Sequence, residues 1–62
     1  MNALEIIAKI EETTGTDTKA TLAALCDGEA LAAIGVTDDD QEAVEEAYAI
    51  ITEARVLELA GY

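Results

Sequence analysis

The sequence predicts an all-α fold, a compact bundle of about four helices with a long C-terminal helix. Three observations carry this. Apolar residues recur at helical spacing, capping residues and glycines divide the chain into four stretches, and no stretch alternates apolar and polar residues as a half-buried strand does. At 62 residues the chain is one small domain.

The first helix starts at Asn2, whose side chain can accept from free N–H groups of the opening turn. It places Ala3, Ile6, Ile7 and Ile10 on one face and Glu5, Lys9, Glu11 and Glu12 on the other. Thr13, Thr14 and Gly15 end it, two β-branched residues of weak helix propensity followed by a glycine free to take left-handed angles. Thr16, Asp17 and Thr18 each offer a cap for a second helix, with Leu22, Leu25 and Cys26 as its inner face and Asp27-Gly28 as its stop. A short third helix from Glu29 to Ile34 buries Leu31 and Ile34; Gly35 closes it, and Val36 tucks in behind.

The fourth helix opens on the strongest local signal in the chain. Thr37 is its cap, and Asp38, Asp39 and Asp40 set three carboxylates against the positive end of the helix dipole. Asp40 stands at the third helical position, where it can reach back to Thr37 in a shortened capping box. From there Val44, Ala47, Tyr48, Ile51 and Ala54 form a core-facing stripe, widened by Ile50 and Leu57, that runs to Leu59.

The core is built from small residues. Apolar residues make up 52% of the chain, but thirteen of them are alanine and only 3% of residues are aromatic. The bulky aliphatics that stabilise most, by about 1.5–3 kcal/mol each when fully buried, are therefore few. Small residues let helices approach closely within one chain or between two. A homodimer stays open on that ground, and repulsion between two bodies of charge −11 opposes it.

Absent residues exclude much chemistry. There is no His, Ser, Trp, Phe or Pro, and Cys26 is the one thiol. With no histidine to activate it, and in phase with Leu22 and Leu25, Cys26 reads as a buried packing residue. Asp38, Asp40 and Glu42 begin like a calcium loop but lack its glycine and its final glutamate, and they lie where a helix starts. Gly28 and Gly35 belong to no phosphate-binding pattern. The expectation is a protein that is not an enzyme and takes no cofactor or metal. One cysteine closes no internal disulfide, and Glu5 and Lys9 interrupt the opening apolar stretch, unlike a signal peptide. No apolar run is long enough to span a bilayer. A cytoplasmic protein without membrane contact is expected.

Charge is the feature that needs explaining. Fourteen acids stand against three basic residues, and between Lys19 and Arg55 there are nine acids and no base. On the fourth helix Asp38, Glu42, Glu45, Glu46 and Glu53 fall within a stripe about 100° wide, with Asp39 beside it. Like charges at i and i+4 weaken a helix by a few tenths of a kcal/mol per pair, and here no lysine or arginine offsets them. A surface that is only soluble normally mixes both signs. The acids repel nucleic acid and anionic lipid directly, so the expected partner is the basic surface of a protein, one that itself binds nucleic acid. Asp38, Asp39, Glu42, Glu45, Glu46 and Glu53 are the expected partner-binding residues. The rival reading is a regulatory or scaffolding module that binds a partner helix, or its own copy, through apolar surface.

Two family comparisons bear on these residues. An acyl carrier protein, which length and acidity suggest, needs a serine for its phosphopantetheine, and this chain has none. The stretch Leu31-Ala-Ala-Ile-Gly-Val-Thr-Asp resembles the end of a SAM-type interaction domain, a shared way of capping a last helix. In size, charge and lack of catalytic residues, the whole chain is similar to small phage-encoded inhibitors of bacterial defence, such as anti-CRISPR proteins and DNA mimics. That resemblance of bulk properties implies an inhibitor that excludes nucleic acid from its partner by competition.

Overall fold

A computed structural model of the protein describes residues 1–61; Tyr62, a terminal aromatic in the sequence, lies outside the described residues. The helices are α1 (Ala3–Thr14), α2 (Thr18–Leu25), α3 (Gly28–Ala33) and α4 (Gln41–Leu59). One turn of 3-10 helix, Asp38–Asp40, runs directly into α4 and makes a continuous helical segment of 22 residues. No strand occurs among the described residues.

Side-chain caps start the first three helices. Asn2 Oδ1 accepts the Glu5 N–H at 2.9 Å. Of the three candidates before α2, Asp17 is the cap and accepts the Lys19 N–H at 3.0 Å. Asp27 accepts the Glu29 N–H at 3.0 Å, so Asp27-Gly28 opens α3 where the sequence suggested only an end to α2. Two glycines do take left-handed angles as expected: Gly15 has φ 76 and Gly35 has φ 92. At Gly35 the chain reverses tightly, the Val36 N–H donating to the Leu31 carbonyl at 3.0 Å, which turns Val36 back against the core.

Two long-range contacts orient the bundle. The Met1 amine reaches Asp40 at the start of α4, and the Thr18 hydroxyl donates to Glu58 in its last turn at 2.8 Å. α1 therefore begins beside the start of α4, whereas α2 begins beside its end and runs antiparallel to it. α3 is held against α2. The core joins Ala3, Ile6, Ile7 and Ile10 of α1 to Leu25 of α2 and to Val44, Ala47 and Ile51 of α4.

Three expectations about burial need correction. Cys26 is exposed and is the residue on which α2 ends. Thr21 is buried instead, at 2% exposure, one helical turn before Leu25. Its hydroxyl is satisfied by the Asp17 carbonyl at 3.0 Å, so its methyl group can face the core without an orphaned polar atom. Leu31 and Ile34 are half-buried, since six-residue α3 has only one large helical neighbour. Tyr48, Ile50 and Leu57 are exposed: α1 and α2 meet α4 along Val44, Ala47 and Ile51, and its flanks stay open.

The Thr52 hydroxyl on α4 is buried without a hydrogen-bond partner among the described residues. Valine has the same shape and removes the unpaired hydroxyl. Thr52→Val is expected to stabilise the protein by about 1 kcal/mol, or about 4–8 °C in Tm. A lower Tm in calorimetry would show that the hydroxyl is hydrogen-bonded in solution.

Candidate functional site

The acidic face begins where Thr37, with extended backbone, hands over to the 3-10 turn. Asp40 is turned inward and is fully engaged. Its Oδ2 accepts the Thr37 N–H at 3.0 Å and the Thr37 hydroxyl at 3.3 Å, and its Oδ1 takes the Met1 amine at 2.8 Å. The reach back to Thr37 is the capping box that the sequence suggests, with aspartate doing what glutamate usually does. Hydrogen bonds from the amine and from Thr37 hold the Asp40 carboxyl below its ordinary 3.8, and Asp40 in turn raises the Met1 amine above 8.0.

The sign of the pH effect follows from these directions. Asp40 contributes stability above pH 3.8, lost as the pH falls through its lowered value. The amine contributes below pH 8.0, and this is lost as the pH rises through its raised value. In thermal melts, Asp40→Ala is expected to fall furthest below the parent between those two pH values. The difference should vanish at the acid end and shrink at the alkaline end to what the Thr37 cap contributes. A pH-independent difference would show that the ion pair adds nothing.

Asp38, Asp39, Glu42, Glu45, Glu46 and Glu53 are all exposed. The helix fans them along the side of α4 opposite Val44, Ala47 and Ile51, as expected. The structure groups them unevenly. Asp39, Glu42 and Glu46 line an open groove of about 530 Å³ against Met1, Asn2 and Ala3 of the N-terminal segment. Asp38 faces a second groove with Leu31 and Val36, near α3. Glu45 lies between the two, and Glu53 stands two turns beyond Glu46, about 10 Å along the axis. The result is an extended row of carboxylates, spread over about 22 Å from Asp38 to Glu53.

Ion pairing leaves this row untouched. Among the described residues the ion pairs are Met1 amine to Asp40, and Arg55 to Glu58 at 3.9 Å. Among the described residues none of the six carboxylates has a cationic partner. Among the described residues no group of three or more His, Cys, Asp or Glu is placed to hold a metal ion, and no described helix is long and apolar enough to cross a membrane.

No family model, curated protein or solved structure matches the chain. Residue chemistry and geometry therefore carry the functional reading.

Sequence reasoning did not foresee two features beside the acidic row. The Met1 amine places a positive charge at the edge of the groove and is spent on Asp40. Tyr48, 44% exposed, is an aromatic surface that helical phase alone assigned to the core.

Proposed function

We propose that the protein is a non-enzymatic inhibitor, acting in the cytoplasm, whose acidic α4 face occupies a basic, nucleic-acid-binding site on a partner protein. One observation carries this reading: six exposed carboxylates lie along one helix face, and none is ion-paired among the described residues. Such a face meets arginine and lysine side chains, releases the anions bound to them and competes with phosphate for the same positions. No catalytic group is needed. The bulk resemblance to phage-encoded inhibitors of bacterial defence supports a bacterial partner.

The exposed Tyr48 favours a second reading, an apolar interaction module in which the acids only keep the surface soluble. Competition separates the two. The immobilised full chain is used to capture protein from nuclease-treated bacterial lysate, with elution in steps of rising salt. The captured protein, once purified, is loaded with labelled DNA or RNA. The inhibitor reading expects release as salt rises and displacement of the label by the free chain. Partners that resist salt and keep their nucleic acid overturn it in favour of the apolar module.

A further inference from the structure

On α4, Ile50 and Leu57 lie seven residues apart, two turns along one row, and both are exposed, at 38% and 50%. The row continues Ala43, which is half-buried, and alternates with Ala47 and Ala54 at the three- and four-residue spacing of a coiled-coil seam. α1 is the helix whose start lies beside the first turns of α4. It has 12 residues against the 19 of α4, about 18 Å against about 28 Å. α2 meets the far end of α4 at Glu58, about 100° around the helix from Leu57. The seam is thus covered early and open late.

What flanks the open part decides its occupant. Glu46 and Glu53 fall at the edge of the seam, in the position where coiled coils set charges that choose a partner. Neither has a cationic neighbour among the described residues. A second copy of this chain would bring glutamate against glutamate, in a molecule of net charge −11. A helix with apolar residues on one face and lysine or arginine beside them satisfies both rows at once.

We propose that the flank of α4 formed by Ile50 and Leu57, bordered by Glu46 and Glu53, seats a basic amphipathic helix of the partner. This rests on the reading of the acidic face as a surface for a basic protein, and it adds the element that the partner contributes. The apolar contact supplies holding power, and the glutamates choose the sign of what is held.

The test uses the full chain and three synthetic helical peptides of three heptads. One carries leucine on the seam with flanking lysine. A second has glutamate in place of lysine, and a third has serine in place of leucine. Affinity is read by fluorescence anisotropy, the site by amide shifts in ¹⁵N NMR, and self-association by sedimentation. The leucine/lysine peptide is expected to bind best and to shift residues 46–57. Ile50→Ser/Leu57→Ser is expected to weaken it by about tenfold or more with the helical spectrum unchanged.

Equal binding of the serine/lysine peptide, or no effect of the double serine variant, overturns the docking flank and leaves the acidic-face reading standing. Equal binding of the glutamate peptide removes the charge selection by Glu46 and Glu53 and overturns the basic occupant proposed for this flank. A parent chain that dimerises through residues 50 and 57, with the peptide unable to displace its copy, replaces the proposed occupant by a second copy. Docking of the leucine/lysine peptide combined with failure in the nucleic-acid competition assay leaves the flank standing and overturns the inhibitor reading alone.

Discussion

Ile6→Ala is expected to remove a large share of the protein's stability. Ile6 is fully buried, at 0% exposure, in the centre of α1, where it joins the core shared with α2 and α4. Truncating a buried isoleucine to alanine costs about 2–5 kcal/mol, through lost transfer energy and the cavity left behind. A domain of this length has a net stability of about 3–9 kcal/mol, so one such loss removes a large share of it. The composition sharpens the effect. With thirteen alanines and no phenylalanine or tryptophan, few large side chains are available to relax into the space. Ile51→Ala on the facing side of α4, 9% exposed, is expected to act in the same direction. Leu4→Ala is the contrast, since Leu4 is 70% exposed and its loss should change stability by less than about 0.5 kcal/mol. Urea unfolding followed by circular dichroism distinguishes these variants. An Ile6→Ala protein as stable as Leu4→Ala would mean that α1 does not pack on Ile6.

The second large effect concerns binding, and it has opposite signs for fold and function. Asp39→Asn, Glu42→Gln, Glu45→Gln and Glu46→Gln together remove four exposed charges from the row on α4. They leave Asp40, and with it the capping box and the Met1 ion pair, intact. Glu42 and Glu46 are one helical turn apart, and Asp39 and Glu45 each lie three residues from Glu42. Relieving such like-charge pairs is worth a few tenths of a kcal/mol apiece. The variant is therefore expected to melt at the same temperature or slightly higher. In the competition assay it is expected to lose displacement of DNA or RNA by about a hundredfold or more, because close charge pairs at such interfaces couple by about 1.5–7 kcal/mol. Retained displacement by a folded variant would sink the phosphate-competition mechanism.

Where each helix begins and ends was largely legible in the chain, because caps and terminating glycines act over three or four residues and need no tertiary partner. Asn2, Asp17 and Thr37-Asp40 each mark a start, and Gly15 and Gly35 each end a helix with positive φ. The inner face of α1 was legible for a related reason. Its isoleucines repeat cleanly at helical spacing, and charged residues occupy most of the opposite side, so only one orientation buries it well. The acidic row followed from the same periodicity, since carboxylates without cationic partners have no low-cost place other than solvent.

Periodicity could not decide how wide a buried stripe is. On α4 the residues from Val44 to Leu57 that are apolar cover more than half the helix circumference, and phase alone cannot say which margin a neighbour covers. The structure places α1 and α2 along Val44, Ala47 and Ile51, which leaves Tyr48 on one margin and Ile50 and Leu57 on the other in solvent. At the end of α2, Cys26 was in phase with Leu22, but the helix stops there and Cys26 is exposed while Leu22 stays half-buried against the core, and Thr21 takes the inner place, its hydroxyl satisfied by Asp17. The division of the acidic row into a groove against α1 and a separate one near α3 likewise depends on where short helices land on a long one. The sequence by itself determined helix limits, the α1 face and the charge of the exposed surface, all of which come from interactions between residues near in the chain. Which apolar residues are covered, and which remain beside the carboxylates for a partner to use, was decided only by tertiary packing, because burial belongs to pairs of surfaces that meet.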